Sequence, residues 1–290
     1  MPYLVITSLL WAVSFGLVKG QFMGVDAAAL SCIRLLIASL VFAPFFRPSG
    51  LTWQTALRLT GIGALQFGLM YIFYLKSFTY LAAYQVALFT IFTPLYVVLI
   101  DAWMEKRWTW KFLWASLLAG AGAAVTQDFH SFNDAHFSGF MLVQCSNLCF
   151  AAGQLLWRRE HIRMEGKAKD AQLFALPYLG ALLCTSVVSW FTTDWQNFSL
   201  NTTQWASVLY LGIIASGLCF FLWNVGAAKV NAGLLAVMNN GKIPIAIAVS
   251  LVVFQEKADL LRLLLGGALI AAGIMMTRTK PQERARGKGQ

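Results

Sequence analysis

Charged residues are scarce in this sequence: they make up 12% of its 290 residues, whereas 59% are hydrophobic. Soluble domains are usually about 25% charged and about 45–50% apolar. A soluble fold of this length cannot bury so much apolar surface, which excludes an ordinary globular protein. The 7 prolines and 23 glycines are too few for collagen-like or low-complexity chains. The composition therefore predicts an integral membrane protein, with the lipid bilayer as its surroundings.

Several other patterns are missing. The 5 cysteines lie inside apolar segments without a nearby His or carboxylate, which favours free thiols over disulfides and gives no metal site. The N-terminus lacks a charged region and an Ala-x-Ala site, so no cleavable signal peptide is expected. No Ser/His, Asp/Asp or His-rich set lies inside the apolar segments, which disfavours an intramembrane enzyme. We expect no catalytic residue, no metal and no cofactor.

Runs of about 20 mostly apolar residues, the length that crosses a bilayer, recur along the chain. We predict an all-α integral membrane protein with ten transmembrane helices. The break between the third and fourth helices is placed near Tyr80–Ala83. The predicted segments are residues 3–22, 28–47, 55–76, 82–101, 108–127, 137–157, 171–192, 204–227, 232–254 and 260–278.

The basic residues indicate the orientation of the chain. With ten helices and both termini in the cytoplasm, 16 of the 22 Lys and Arg residues fall on the cytoplasmic side and 4 on the other side. This distribution follows the positive-inside rule. The positive charges are spread over short loops and a C-terminal tail rather than gathered on one face, so binding of nucleic acid is not expected. The sequence does not indicate an oligomeric state.

Two stretches of the chain repeat one another. Residues 88–106 read LFTIFTPLYVVLIDAWMEK, and residues 238–257 read MNNGKIPIAIAVSLVVFQEK. Each stretch has a proline within its helix, Pro94 or Pro244, and a Glu-Lys pair at its end. The matching order of these features predicts two homologous halves.

The predicted halves, residues 1–130 and 131–290, contain five helices each. Because five is odd, the second half enters the bilayer upside down. Inverted repeats place a substrate site near the midplane between the halves and support alternating access. The repeat pattern therefore favours a transporter over a scaffold or a receptor, which would not need polar residues at the repeat interface.

This order of elements resembles the EamA-type drug/metabolite transporter superfamily, over nearly the whole chain. The likeness is carried by LLWAVSF around Trp11, RLLIA from Arg34, the two Pro…Glu-Lys segments and the Gly-rich fifth and tenth segments. A narrower likeness, to the biotin permeases of bacterial inner membranes, is carried by short strings. These are ALQFGLMY (64–71), LFTIFTPLY (88–96), LVQCSNLCFA (142–151), ASGLCFFLWNVGA (215–227) and Met-Asn-Asn (238–240).

The resemblance implies a secondary transporter for a small anionic metabolite in the bacterial inner membrane, with biotin as the best single candidate. The superfamily also includes exporters in its carboxylate, amino acid and amine branch. An exporter of amino acids or related zwitterionic metabolites on the same fold is therefore the alternative. At Arg34 the resemblance implies a basic residue, for which a structural or gating role fits as well as substrate contact.

Lys242 is the strongest candidate for substrate contact. It lies near the middle of the ninth predicted segment, two residues before Pro244. A Lys at the bilayer centre costs about 2.5–3.5 kcal/mol on insertion scales and therefore faces a wet cavity or a partner. We predict that Lys242 binds a substrate carboxylate. The alternative is a structural ion pair, or hydrogen bonds to carbonyls freed by Pro244.

Other polar and aromatic side chains in the apolar segments complete a predicted small-ligand cavity. Asn239 shares a helix face with Lys242, and an Asn amide has the donors and acceptor that suit an amide or ureido group. For each aromatic alone, core packing is the alternative. The predicted substrate-binding set is Lys242, Asn239, Asn240, Trp223, Asn224, Tyr71, Tyr74, Gln66, Gln144, Asn147, Trp11 and Ser14.

Overall fold

The structure is a computed structural model that describes residues 2–47, 51–106, 114, 117–118, 121–122, 125, 134–164, 169–230, 232–239, 243–253, 255 and 259–276. Within these residues all regular secondary structure is helical. Seven helices of the described chain are long and apolar enough to cross a membrane. They are α1 (Pro2–Gln21), α2 (Ala27–Phe45), α3 (Trp53–Ser77), α4 (Ala83–Met104), α5 (Asp134–Arg163), α6 (Asp170–Thr192) and α7 (Thr202–Ala228). Shorter helices follow: α8 (Ala232–Asn239), α9 (Ile243–Val252) and α10 (Leu260–Met276).

The helices agree with the predicted segments over most of the described chain. α3 ends at Ser77 and α4 begins at Ala83, so the predicted break between them is confirmed. Of the predicted fifth segment, 108–127, the structure describes only residues 114, 117–118, 121–122 and 125, and residues 240–242 of the ninth lie outside the described residues. The all-helical membrane architecture holds for the described chain, while the count of ten helices stays a prediction.

α5 is longer than the predicted segment 137–157, because it continues as a helix to Arg163. The added turns carry Glu160, which is only 4% exposed. Its carboxylate accepts hydrogen bonds from Arg58 at 3.2 Å and from Arg163 at 2.9 Å. These charge-assisted bonds offset the burial of the carboxylate, so a stretch that is polar in sequence remains helical and packed.

Three of the long helices contain irregular turns near their middle. α3 has a π-helical segment at Ala64–Leu69, and α7 has one at Leu211–Leu218. α4 has a 3₁₀ turn at Thr90–Phe92, which ends two residues before Pro94. A proline cannot donate to the preceding turn and its ring crowds that turn, which accounts for the irregularity in α4. π-helical turns are rare and frequently lie at functional sites, and both of these lie near the cavity described below.

α3 and α6 cross in direct backbone contact. A Cβ atom added to Gly63 of α3 would lie 1.8 Å from the carbonyl oxygen of Pro177 in α6. A Cβ atom added to Gly180 of α6 would lie 1.8 Å from the carbonyl oxygen of Thr60 in α3. Small residues allow this approach, which is a common way to pack helices inside membranes. The crossing sets the distance between α6 and α3.

Hydrogen bonds at the helix ends establish the chain directions. Lys19, near the end of α1, donates to the carbonyl oxygens of Phe78 and Leu81 at 2.8 and 2.9 Å, just beyond the end of α3. The end of α5, by contrast, lies beside the start of α3, where Arg58 bonds Glu160. α1 and α5 therefore run in opposite senses relative to α3.

Candidate functional site

A partly open cavity lies among α1, α2, α3, α4, α5 and α7. About 60 Å³ of it is accessible to the centres of water molecules, whereas a single water needs only about 10–15 Å³ on this measure. The cavity is therefore large enough for several waters or part of a small ligand. It is lined by Trp11, Ser14, Phe15, Arg34, Met70, Tyr71, Tyr74, Thr90, Thr93, Ser146, Asn147, Phe150 and Phe220.

Aromatic rings form much of the wall. The ring centroid of Trp11 lies 5.3 Å from that of Phe220 and 5.9 Å from that of Phe150, both in edge-to-face geometry. Tyr71 and Tyr74 stack with their centroids 6.1 Å apart. Aromatic pairs at these separations stabilise one another beyond their buried area. The rings thus give the cavity rigid apolar walls that suit the body of a small organic ligand.

Arg34 brings a positive charge into this wall from the middle of α2, with only 1% of its surface exposed. Its Nη2 donates to the Tyr71 hydroxyl at 2.7 Å, and its Nε donates to Ser216 Oγ at 3.3 Å. The guanidinium carbon lies 4.4 Å from the Tyr71 ring centroid. A charge in the middle of a membrane-spanning helix costs about 2.5–3.5 kcal/mol on insertion scales and marks functional paths.

A neutral polar group occupies another part of the wall. Asn147 of α5 accepts from Thr93 Oγ1 at 3.1 Å and donates to the carbonyl oxygen of Phe89 at 2.9 Å. Its amide also donates to Gln144 Oε1 at 3.3 Å, and Gln144 Oε1 accepts from the Tyr96 hydroxyl at 3.3 Å. These bonds fix the orientation of the amide, so this side of the cavity offers oriented but uncharged hydrogen-bonding groups.

A second buried polar cluster joins α3, α5, α7 and α8 outside the cavity lining. Gln66 donates to Asn224 Oδ1 at 3.2 Å. Gln154 Oε1 accepts from Trp223 Nε1 at 3.0 Å and from Asn239 Nδ2 at 3.4 Å. Trp223 also lies against Trp11, with ring centroids 5.2 Å apart. Through Trp11 and Trp223, this amide cluster therefore connects the cavity wall to α3, α5 and α8.

Comparisons with known proteins give the family. The model of the EamA-like transporter family matches residues 1–127 and 137–279. The chain belongs to the EamA-like transporter family. A solved crystal structure with 19% sequence identity superposes with a TM-score of 0.66, covering 94% of this chain and 95% of that one, and at this identity it supports the fold alone.

Curated relatives of this EamA-family protein are transporters. The probable biotin transporter of Pseudomonas aeruginosa is 36% identical over 98% of this chain and 99% of its own length. The biotin transporter of Salmonella typhimurium is 35% identical, covering 96% of this chain and 93% of the relative. The probable terminal-alkyne amino-acid exporter of Streptantibioticus cattleyicolor is 27% identical, covering 98% and 94%. The chain is accordingly a multi-pass transporter of a small molecule in the bacterial inner membrane, and not an enzyme.

The twelve sequence-predicted site residues of this EamA-family transporter fall into three groups. Five of them line the cavity. Five lie outside its lining, either hydrogen-bonded to Asn147 or within the buried amide cluster. Two lie outside the described residues. The first group is Trp11, Ser14, Tyr71, Tyr74 and Asn147, the second is Gln66, Gln144, Trp223, Asn224 and Asn239, and the third is Asn240 and Lys242. The binding roles of all twelve stay predictions.

Sequence reasoning left several lining residues out of the predicted set. Arg34 had a clear signal, a charge inside an apolar segment, but without coordinates its role was open. Thr90 and Ser146 had none, because small hydroxyl residues are common in membrane helices and bond their own backbone. The Thr90 hydroxyl, for example, donates to the carbonyl oxygen of Ala87 at 2.7 Å. Only the packing of the helices determines which hydroxyls reach a cavity.

Proposed function

We propose that this EamA-family protein is a secondary transporter that moves biotin across the bacterial inner membrane by alternating access. The observation that carries the proposal is the 35–36% identity to proteins named biotin transporters, over 96–98% of this chain. The cavity supports it chemically, since biotin has a carboxylate, an uncharged ureido group and a compact bicyclic body. The corresponding groups here are Arg34, the Asn147 amide and the aromatic wall.

The architecture that we propose for alternating access is two inverted five-helix repeats, residues 1–130 and 131–290, ten helices in all. Two separate stretches of the chain match the same family model, which supports two copies. The opposite directions of α1 and α5 support the inversion, because these helices begin the two proposed copies. The π-helical segments in α3 and α7 lie in corresponding helices of those copies. The cavity between the copies is the expected position of a substrate site.

The proposed substrate-binding set keeps the twelve residues predicted from the sequence, including Lys242 as a carboxylate ligand. Lys242 is not among the described residues, so its role rests on its position in the sequence, two residues before Pro244. Asn239, three residues before it, donates to Gln154 within the buried amide cluster. This contact supports a position close to the cavity for the part of the ninth predicted segment that precedes Lys242.

Uptake of labelled biotin by cells that lack their own biotin carrier tests the proposed substrate. We expect the wild-type protein to restore uptake, and Lys242→Ala to reduce it without lowering the amount of protein in the membrane. The matched control is Lys76→Ala, since Lys76 is an exposed cation at the end of α3. If the wild type restores no uptake, biotin is the wrong substrate. If Lys242→Ala leaves uptake unchanged, Lys242 is not a ligand.

The proposed orientation places both termini in the cytoplasm. Reporter fusions that are active on only one side of the membrane, attached at either terminus, test this placement. Both fusions should report the cytoplasmic side, because 16 of the 22 basic residues fall on that side in the ten-helix arrangement. Reports from opposite sides would require an odd number of helices and would exclude two equal inverted halves.

Export of amino acids is the second candidate function. One observation favours it: the 27% identity to a probable terminal-alkyne amino-acid exporter over 98% of this chain. A zwitterionic substrate needs an acceptor for its ammonium group as well as a cation for its carboxylate. In a parallel assay, cells preloaded with a labelled amino acid should lose it no faster with the protein than without it. Faster loss would favour this second function.

A further inference from the structure

The buried guanidinium of Arg34 has unused donor capacity. An Arg side chain has five N–H donors. The described contacts of Arg34 involve Nε and Nη2 only, whereas Nη1 is buried and has no hydrogen-bond partner within the described chain. Buried polar groups are rarely left unpaired. This donor belongs to a residue that lines the cavity, so a ligand in the cavity can supply the acceptor that the described residues do not.

Within the part of the chain that the structure describes, the charge of Arg34 also lacks a counter-ion. Its two hydrogen-bond partners, Tyr71 and Ser216, are neutral hydroxyls. No carboxylate lies among the lining residues of the cavity, and within the described chain Arg34 forms no ion pair. A buried charge without a partner is costly, and a bound anion would compensate it.

Neighbouring groups hold the guanidinium in one orientation. Ser216 Oγ donates to the carbonyl oxygen of Leu211 at 2.8 Å. Its lone pairs therefore accept from Arg34 Nε and from the Tyr71 hydroxyl, which lies 3.0 Å away. The Tyr71 hydroxyl in turn accepts from Arg34 Nη2. The hydroxyl protons of Ser216 and Tyr71, the Nε proton and one Nη2 proton of Arg34 each have a defined acceptor, whereas Nη1 has none within the described chain. These bonds hold the guanidinium in one orientation.

We infer that Arg34 is the anion anchor of the cavity and binds the carboxylate of a small monocarboxylic acid through Nη1. Tyr71 and Ser216 are positioning residues that fix the guanidinium. The other polar lining groups, such as Asn147 and Thr93, are uncharged, and no described lining residue offers a carboxylate to an ammonium group. The site therefore selects a monoanionic acid with a neutral polar body over a zwitterion. The inference deepens the proposed function and rests on it.

Binding of biotin and of biotinol, its neutral analogue with an alcohol in place of the carboxyl group, to the purified protein tests the anchor. The wild type should bind biotin about 10- to 100-fold more tightly than biotinol, the range for a hydrogen bond to a charged group. Arg34→Gln should lose most of this preference for the acid, with Lys242 as the remaining carboxylate ligand, while its affinity for biotinol changes little. A merely structural role would weaken both ligands together and leave their ratio unchanged.

Further variants guard against a folding defect. Arg34→Lys keeps the charge but not the planar fork, so it should keep a preference for biotin with weaker binding. Tyr71→Phe removes an orienting hydroxyl and should reduce the preference only partly. The matched control is Lys76→Gln, which removes an exposed positive charge from α3 and should leave the preference unchanged.

The outcomes separate the anchor from the proposed function. If Arg34→Gln keeps the wild-type preference for biotin, Arg34 is not the anchor although biotin remains the substrate. If Lys242→Gln loses the preference while Arg34→Gln keeps it, Lys242 is the anchor. If the wild type binds neither compound, both the anchor and the biotin assignment are overturned.

Discussion

The indole Nε1 of Trp11 donates a 2.8 Å hydrogen bond to the carbonyl oxygen of Ala215, 204 residues further along the chain. Ala215 lies in the π-helical segment of α7. The next two carbonyl oxygens of this segment, those of Ser216 and Gly217, accept from the Tyr178 hydroxyl. Side chains from α1 and α6 thus bind three successive carbonyls of α7. This contact joins the cavity wall to the segment that orients Arg34.

Trp11→Phe should lower the free energy of unfolding by about 0.5–1.5 kcal/mol, because it removes one buried hydrogen bond and keeps an aromatic ring. We also expect slower substrate uptake, since the ring that remains no longer fixes α1 to α7. Thermal unfolding of the purified protein in detergent measures the first effect. The control is Trp103→Phe, at a tryptophan that is 76% exposed. Equal effects of the two substitutions would contradict a role for the bond to Ala215.

Gly63→Ala should prevent α3 and α6 from packing at their observed distance, because the added Cβ would lie 1.8 Å from the carbonyl oxygen of Pro177. We expect little folded protein in the membrane, as for other strongly overpacked sites. Gly61→Ala, two residues earlier on the same helix, meets nothing within 4 Å and should express normally. Size-exclusion chromatography of both variants compares them. A well-folded Gly63→Ala protein would show that this crossing is not tightly packed.

Gln154→Leu should destabilise the protein by about 1–3 kcal/mol, because two buried donors then lose their acceptor. These donors are Trp223 Nε1 and Asn239 Nδ2. Trp223→Phe alone should cost less, and the double variant should be less unstable than the sum of the two single variants. Unfolding of all four proteins completes the cycle. Strict additivity would mean that the bond between Gln154 and Trp223 contributes nothing.

Glu160→Gln should lower stability by about 1 kcal/mol, because a nearly buried carboxylate loses its charge-assisted bonds to Arg58 and Arg163. The comparison is Glu105→Gln, since the Glu105 and Arg159 side chains are 46% and 47% exposed. Its smaller effect should disappear in high salt, whereas the effect at Glu160 should persist. Melting temperatures at low and high salt measure both. If high salt abolished the effect of Glu160→Gln, the ion pairs of Glu160 with Arg58 and Arg163 would be exposed to solvent.

The sequence alone predicted that the protein folds within a lipid bilayer. The bilayer requires about 20 apolar residues for each crossing, so the helices could be placed from composition, and the break before Ala83 is confirmed. The length of α5 was underestimated. Its last turns are polar, and only their contacts with α3 explain why they are helical.

Membership of a transporter family could also be predicted from the sequence, because the order and duplication of short motifs are features of the sequence itself. Which polar side chains contact one another could not be predicted from the sequence. Trp11, Tyr71 and Asn147 were predicted as site residues and line one cavity, whereas Gln66 and Asn224, predicted on the same grounds, bond each other outside it. The periodicity of a helix shows on which face a residue lies, but it does not show which other helix packs against that face. The tertiary structure decided that Arg34, open in role from sequence, lines the cavity. Tyr71 and Ser216 hold two of its nitrogens, and the third, Nη1, has no partner within the described chain.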